Sequence, residues 1–209
     1  MTQFKKVKMK KLTFILIYML LAAFVAHAQL PEKAEDISPL LNGEMLPDAE
    51  LKSPDGSNHQ FSEILKQKPS VVLFYRGGWC PFCNTHLAEI QEAQNEILNL
   101  GYQIIAISPD SPENLWVTDE KQNLTYRLFS DGNGQLTKAV GIAFKAPERS
   151  AGRLLEISGG LNHGFMPVPS VFVAETSGKI VFEYINPDYR TRLSAKLLLA
   201  VLKNLELEQ

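Results

Sequence analysis

The run Val71-Val72-Leu73-Phe74-Tyr75 is apolar, mostly β-branched and aromatic, bounded by Pro69 and by Gly77-Gly78, and it leads into Trp79-Cys80-Pro81-Phe82-Cys83. This junction constrains the fold more than any other part of the chain. An unbroken apolar run of that length suits a central strand buried on both faces. Proline is welcome in a first helical turn, where its missing N–H would be unpaired anyway. A helix is therefore predicted to begin near Cys80 or Pro81, with Leu87, Ile90, Ile97 and Leu98 on one face and Gly101 at its end.

A cysteine between a buried strand and a helix start faces unpaired backbone N–H groups and the positive end of the helix dipole. Both favour thiolate, the reactive form. Cys83 follows one turn after Cys80, close enough to close a disulfide, and Arg76 adds positive charge nearby. Three other readings compete. A structural disulfide closing so small a loop restrains the unfolded chain little. A metal site would use Cys80, Cys83 and His86, yet structural zinc takes four ligands and the chain has no second cysteine pair. The third is a pair of inert buried cysteines.

The rest of the chain supplies more strands and helices. Ala49 to Ser53 and His59 to Phe61 flank the turn Pro54-Asp55-Gly56-Ser57. Gln103 to Ile107 is a second buried strand, and Ser111 or Pro112 opens a helix to about Lys121. Leu128-Phe129 is a short extended piece, followed by Asp131-Gly132-Asn133-Gly134 and a short helix through Val140. From Ala143 to Met166 the chain reads as Gly-rich and irregular. Ser170 to Val173 and Lys179 to Phe182 flank Thr176-Ser177-Gly178 as a hairpin. A last amphipathic helix carries Leu193, Leu197, Val201 and Leu205. This order predicts an α/β protein, a mixed central sheet flanked by helices on both faces.

Residues 1–28 read as a secretory signal peptide: a lysine-rich start, the uncharged run Leu12 to Val25, and Ala26-His27-Ala28. The run is shorter than the ~20 residues of a spanning helix, so cleavage after Ala28 is expected, with no stable membrane association afterwards. Residues 29–38 read as a linker and 39–209 as the domain. The expected location is the bacterial periplasm, where disulfides persist. A net charge of -2 over 209 residues marks no nucleic-acid binder.

Phe74-Tyr75-Arg76-Gly77-Gly78-Trp79-Cys80-Pro81-Phe82-Cys83 resembles the active-site segment of the alkyl hydroperoxide reductase/thiol-specific antioxidant family, and within it the peroxiredoxin-like proteins with a Cys-x-x-Cys. The resemblance continues through Ile105 to Pro112, Leu128 to Asp131, Val168 to Val173 and Asn186 to Tyr189. It implies a thioredoxin fold and thiol-dependent reduction of peroxides or disulfides through a Cys80–Cys83 disulfide, regenerated by a thioredoxin-like dithiol. No cofactor and no metal are implied. Supporting places fall to Arg76, Trp79 and Pro169.

Two templates overlap on the segment. The peroxiredoxin register puts Cys83 in the peroxidatic place, with Arg76 replacing a proline and Cys80 a threonine. The thioredoxin register makes Cys80 the attacking thiol, as in a protein disulfide reductase. Peroxiredoxins also use an arginine from a strand across the site, and Met166-Pro167-Val168-Pro169-Ser170 contains none. That stretch resembles the thioredoxin loop, by which Pro169 is expected to be cis. His86 reads as a polar helix residue, His163 carries no assignment, and Arg190 and Arg192 are expected to have no catalytic duty. A non-catalytic metal-binding or interaction module is the remaining alternative.

Overall fold

The computed structural model describes residues 29–205, so the expected signal peptide lies outside the described residues. The apolar run forms strand β3 (Ser70–Phe74), every residue of it buried. Helix α2 (Pro81–Asn99) crosses from β3 to the parallel strand β4 (Gln103–Ser108), and helix α3 (Pro112–Gln122) leads from β4 to the parallel strand β5 (Arg127–Ser130). Crossovers of this kind are the way parallel strands are joined. On one side, β8 (Ser170–Ala174) runs antiparallel to β3, and β9 (Ile180–Ile185) antiparallel to β8. On the other, β1 (Glu50–Lys52) meets β5 and pairs with β2 (Asn58–Gln60), both antiparallel. The sheet order is β2-β1-β5-β4-β3-β8-β9.

Strand alternation divides the core into two layers. Val71, Leu73, Ile104 and Ala106 face Leu87, Ile90 and Ile97 of α2 and Leu198 and Leu202 of α6 (Ala195–Leu202). Val72, Phe74, Ile105 and Ile107 face the opposite way, onto α1 (Phe61–Leu65) and α4 (Gln135–Ala139). Helices thus cover both faces, as expected. Both cysteines lie in the first layer.

Four expectations need correction. Leu98 is 42% exposed, and Ala93 takes its place on the buried face of α2. The final helix starts after Leu193, capped by Ser194, whose hydroxyl accepts from Leu197 N–H at 3.2 Å. Its buried stripe is therefore Ala195, Leu198 and Leu202, while Leu197 is 52% exposed. The stretch 143–166 is mostly regular: β6 (Ala143–Lys145), α5 (Glu148–Ile157) and β7 (Phe165–Pro167), with β6 and β7 pairing antiparallel. Gly152 sits on an open helix face where a side chain would meet nothing, so it interrupts nothing. Residues 31–40 lie against the domain: Pro31 O accepts from Lys145 N–H at 2.8 Å, Leu40 N–H donates to Val140 O at 3.0 Å, and Ile37 packs on the second layer.

Candidate active site

At the end of β3, Tyr75 N–H still bonds Ile107 O at 3.0 Å before the chain leaves the sheet. Gly77 then adopts φ +131, where a Cβ would come within 2.5 Å of Trp79 Nε1 and 2.6 Å of Asp110 Oδ1. Glycine is required there on both counts. Gly78 N–H donates to Asp110 Oδ2 at 2.7 Å, and Gly78 O accepts from Asn84 Nδ2 at 2.9 Å. The loop is thereby tied to β4 and to α2. Burial pushes the Asp110 carboxyl up to about 6, against the Gly78 hydrogen bond. A cavity of about 210 Å3 borders this loop, lined by Gly78, Trp79, Asn84, Asp110 and Thr118 among others, but by neither cysteine.

Cys80 is the N-cap of α2, in extended conformation at φ -91, ψ 115, and Pro81 opens the helix. Its carbonyl accepts from Cys83 N–H at 3.0 Å and Asn84 N–H at 3.1 Å. Both cysteines are free thiols, each 1% exposed. A hydrogen bond from the Cys83 thiol lowers Cys80 to about 6; the Cys83 backbone N–H and the charges of Arg76 and Arg192 assist, and burial opposes. The same hydrogen bond between the thiols, together with burial, pushes the Cys83 thiol well up. Arg192 and the Arg76 N–H pull Cys83 the other way, but they are outweighed. The first proton lost belongs to the pair, and the resulting charge rests on Cys80.

Arg192, expected to be idle, is at the site. Its guanidinium donates to Cys83 Sγ at 3.7 Å. The loop from Asn186 to Ser194 brings other groups with it. Tyr189 stacks on the Arg76 guanidinium at 4.3 Å and meets Phe82 edge-on at 5.6 Å. Arg76 also lies 5.0 Å from the Trp79 ring and donates to Met166 Sδ at 3.5 Å. Arg76 is thus held by the rings of Trp79 and Tyr189, with its charge near Cys80. Arg190 points to Asp188 at 3.9 Å, both exposed. No arginine stands in 166–170, and no sequence spacing says which distant loop brings a cation to the site.

The cis expectation for Pro169 falls. No cis peptide occurs among the described residues, so Pro169 is trans. It lies buried between β7 and β8, and the next residue, Ser170, already pairs with Phe74 and Ile185, so the proline stands just where its missing N–H interrupts no ladder. His86 does not join the cysteines as a ligand set, and among the described residues no three metal-binding side chains gather. Its Nε2 meets Leu193 O at 3.0 Å instead.

The family model described as AhpC/TSA matches residues 42–183. Peroxiredoxin Bcp of Bacillus subtilis is 32% identical over 100 residues, 48% of this chain and 63% of that protein. Peroxiredoxin Bcp of Escherichia coli K12 is 27% identical over 106 residues, 51% of this chain and 67% of that one. The first of these alignments spans less than two thirds of the relative's length. Among solved structures, peroxidoxin BcpB of Mycobacterium tuberculosis superposes with a TM-score of 0.62 at 22% identity, covering 79% of this chain and 97% of its own. Reduced Prx3 of Vibrio vulnificus in complex with H2O2 gives 0.68 at 19%, with the same coverages. These likenesses show the thioredoxin fold.

Proposed function

The chain belongs to the AhpC/TSA family, and from that premise we propose that it is a thiol peroxidase cycling through Cys80 and Cys83. One observation carries this reading: a buried dithiol whose Cys80 sulfur is lowered to about 6 at the N-cap of α2. At neutral pH that sulfur is ionised, and thiolate is the nucleophile. It attacks the terminal peroxide oxygen. The O–O bond breaks, the alkoxide leaves as an alcohol after taking a proton, and Cys80 becomes a sulfenic acid. Cys83 sulfur then attacks Cys80 sulfur. An S–S bond forms, and the departing hydroxide takes the Cys83 proton and leaves as water. A thioredoxin-like dithiol returns two electrons and two protons.

The peroxiredoxin register would have Cys83 attack first. The charge distribution favours Cys80, leaving Cys83 as the resolving thiol. A protein disulfide reductase would use the same order, and the low Cys80 value supports that second reading. Burial argues against it, because sulfurs only 1% exposed admit a small oxidant more readily than a folded substrate.

Stopped-flow oxidation of the reduced protein separates the two. Saturable, rapid consumption of hydrogen peroxide or an alkyl hydroperoxide is the expected result. Slow peroxide oxidation beside quick insulin reduction would overturn it. We also place the protein in an exported, oxidising compartment, from the pattern of residues 1–28. Fractionation and the N-terminal residue of the purified protein test that, with Gln29 expected.

A further inference from the structure

The cation beside Cys83 comes from a connecting loop, and loop side chains keep one place only when something fixes their backbone. Two side chains of α2 do so here. His86 Nε2 meets Leu193 O at 3.0 Å, and Glu89 Oε1 accepts from Ala195 N–H at 2.8 Å. A carbonyl can only accept, so Nε2 carries the proton. Cys83, His86 and Glu89 are spaced three apart and run along one flank of the helix. Arg192 immediately precedes the two anchored residues.

We propose that His86 and Glu89 are positioning residues that fasten Leu193 and Ala195 to α2 and so keep the Arg192 guanidinium over the sulfurs. The helix that carries Cys83 also carries the clamp for its counter-charge, so sulfur and cation move together. His86 is no base in this arrangement. Burial, with Arg192 beside it, lowers it to about 4, so the ring is neutral at physiological pH and serves as a donor. Leu193 is 1% exposed, and its side chain seats the loop in the first core layer.

The consequence for turnover rests on the peroxidase reading, but the clamp can be read without any substrate. The readout is the pH midpoint of iodoacetamide alkylation of the reduced full chain. Arg192→Met should raise the midpoint by up to about one pH unit, since it removes a nearby opposite charge while Arg76 remains. His86→Leu and Glu89→Ala should each raise it by part of that amount, whereas His86→Gln, which keeps an N–H donor, should stay near the parent. In the Arg192→Met background, His86→Leu should add little, since it acts through the arginine. The proposal is overturned if His86→Leu and Glu89→Ala leave the midpoint in place, or if the His86→Leu shift adds in full without Arg192. Glu89 is only half buried, so its variant tests the clamp even if the His86→Leu chain folds poorly. Midpoints that move as stated in a protein that reduces peroxide slowly would uphold the clamp and refute the peroxidase.

Discussion

Arg192 and Cys83 are 109 residues apart in the chain, and the guanidinium of one lies 3.7 Å from the sulfur of the other. The contact joins the loop before the last helix to the first turn of α2. It places a second positive charge, besides that of Arg76, beside a buried dithiol packed in the first core layer. In such surroundings a charge acts at greater strength than it would in water.

The Cys80 sulfur depends most on the Cys83 S–H that it accepts. Cys83→Ala removes that donor, and the Cys80 midpoint should climb from about 6 by at least about one pH unit. Cys83→Ser keeps an O–H in its place and should hold the midpoint near the parent value. Ultraviolet thiolate absorbance against pH checks this, and identical curves for the two variants would sink it.

Asp110 gives a stability signature of opposite sign to that of a salt-bridged carboxylate. Burial raises it to about 6 from 3.8, so the folded state favours the protonated form. Stability should therefore increase as pH falls from about 6 to about 4, and be lost as pH rises through about 6. Asp110→Asn keeps an acceptor for Gly78 N–H and removes the titration. Relative to the parent it should gain about 3 kcal/mol above pH 6, with the difference vanishing below about pH 4. Urea denaturation across that range measures it.

Gly78 has no room for a side chain: a Cβ there would overlap Thr118 Oγ1 and approach Thr118 Cβ to 3.1 Å. Gly78→Ala should cost about 1–3 kcal/mol by overpacking. Adding Thr118→Ala should recover part of the loss, because it removes the hydroxyl, the nearest atom, though Cβ remains. Thermal unfolding of the single and double variants decides it, and a double variant no more stable than Gly78→Ala would be contrary.

In the last helix, Leu198→Ala should cost about 2–5 kcal/mol and Leu197→Ala less than about 0.5. Leu198 is fully buried while Leu197 is 52% exposed. Chemical denaturation that ranks them the other way would contradict the helix register.

Much of the fold and the centre of the site are legible in the sequence, because local chemistry dictates them. The run Val71 to Tyr75 must be buried, and the glycines and Pro81 fix where strand hands over to helix. What escapes reading depends on distant parts of the chain. Arg192 lies in an exposed-looking segment, and its role exists only because β9 and α6 fold back on α2. The cis expectation for Pro169 rests on the likeness of a short segment, and that peptide is trans. Leu193 is apolar and buried and so reads as part of the last helix, yet it precedes the Ser194 cap. Between Ala143 and Met166, glycines suggested irregularity, though Gly152 faces open space and Gly159 and Gly160 come after the helix.

In the proposed cycle both cysteines occupy one helix start, so once a peroxide has oxidised one sulfur the disulfide would close with no sulfur borrowed from a second protein molecule. Its rate is set by motion within a single turn, not by encounter. Dilution, which starves any cycle that borrows its second sulfur from a neighbour, leaves this step untouched.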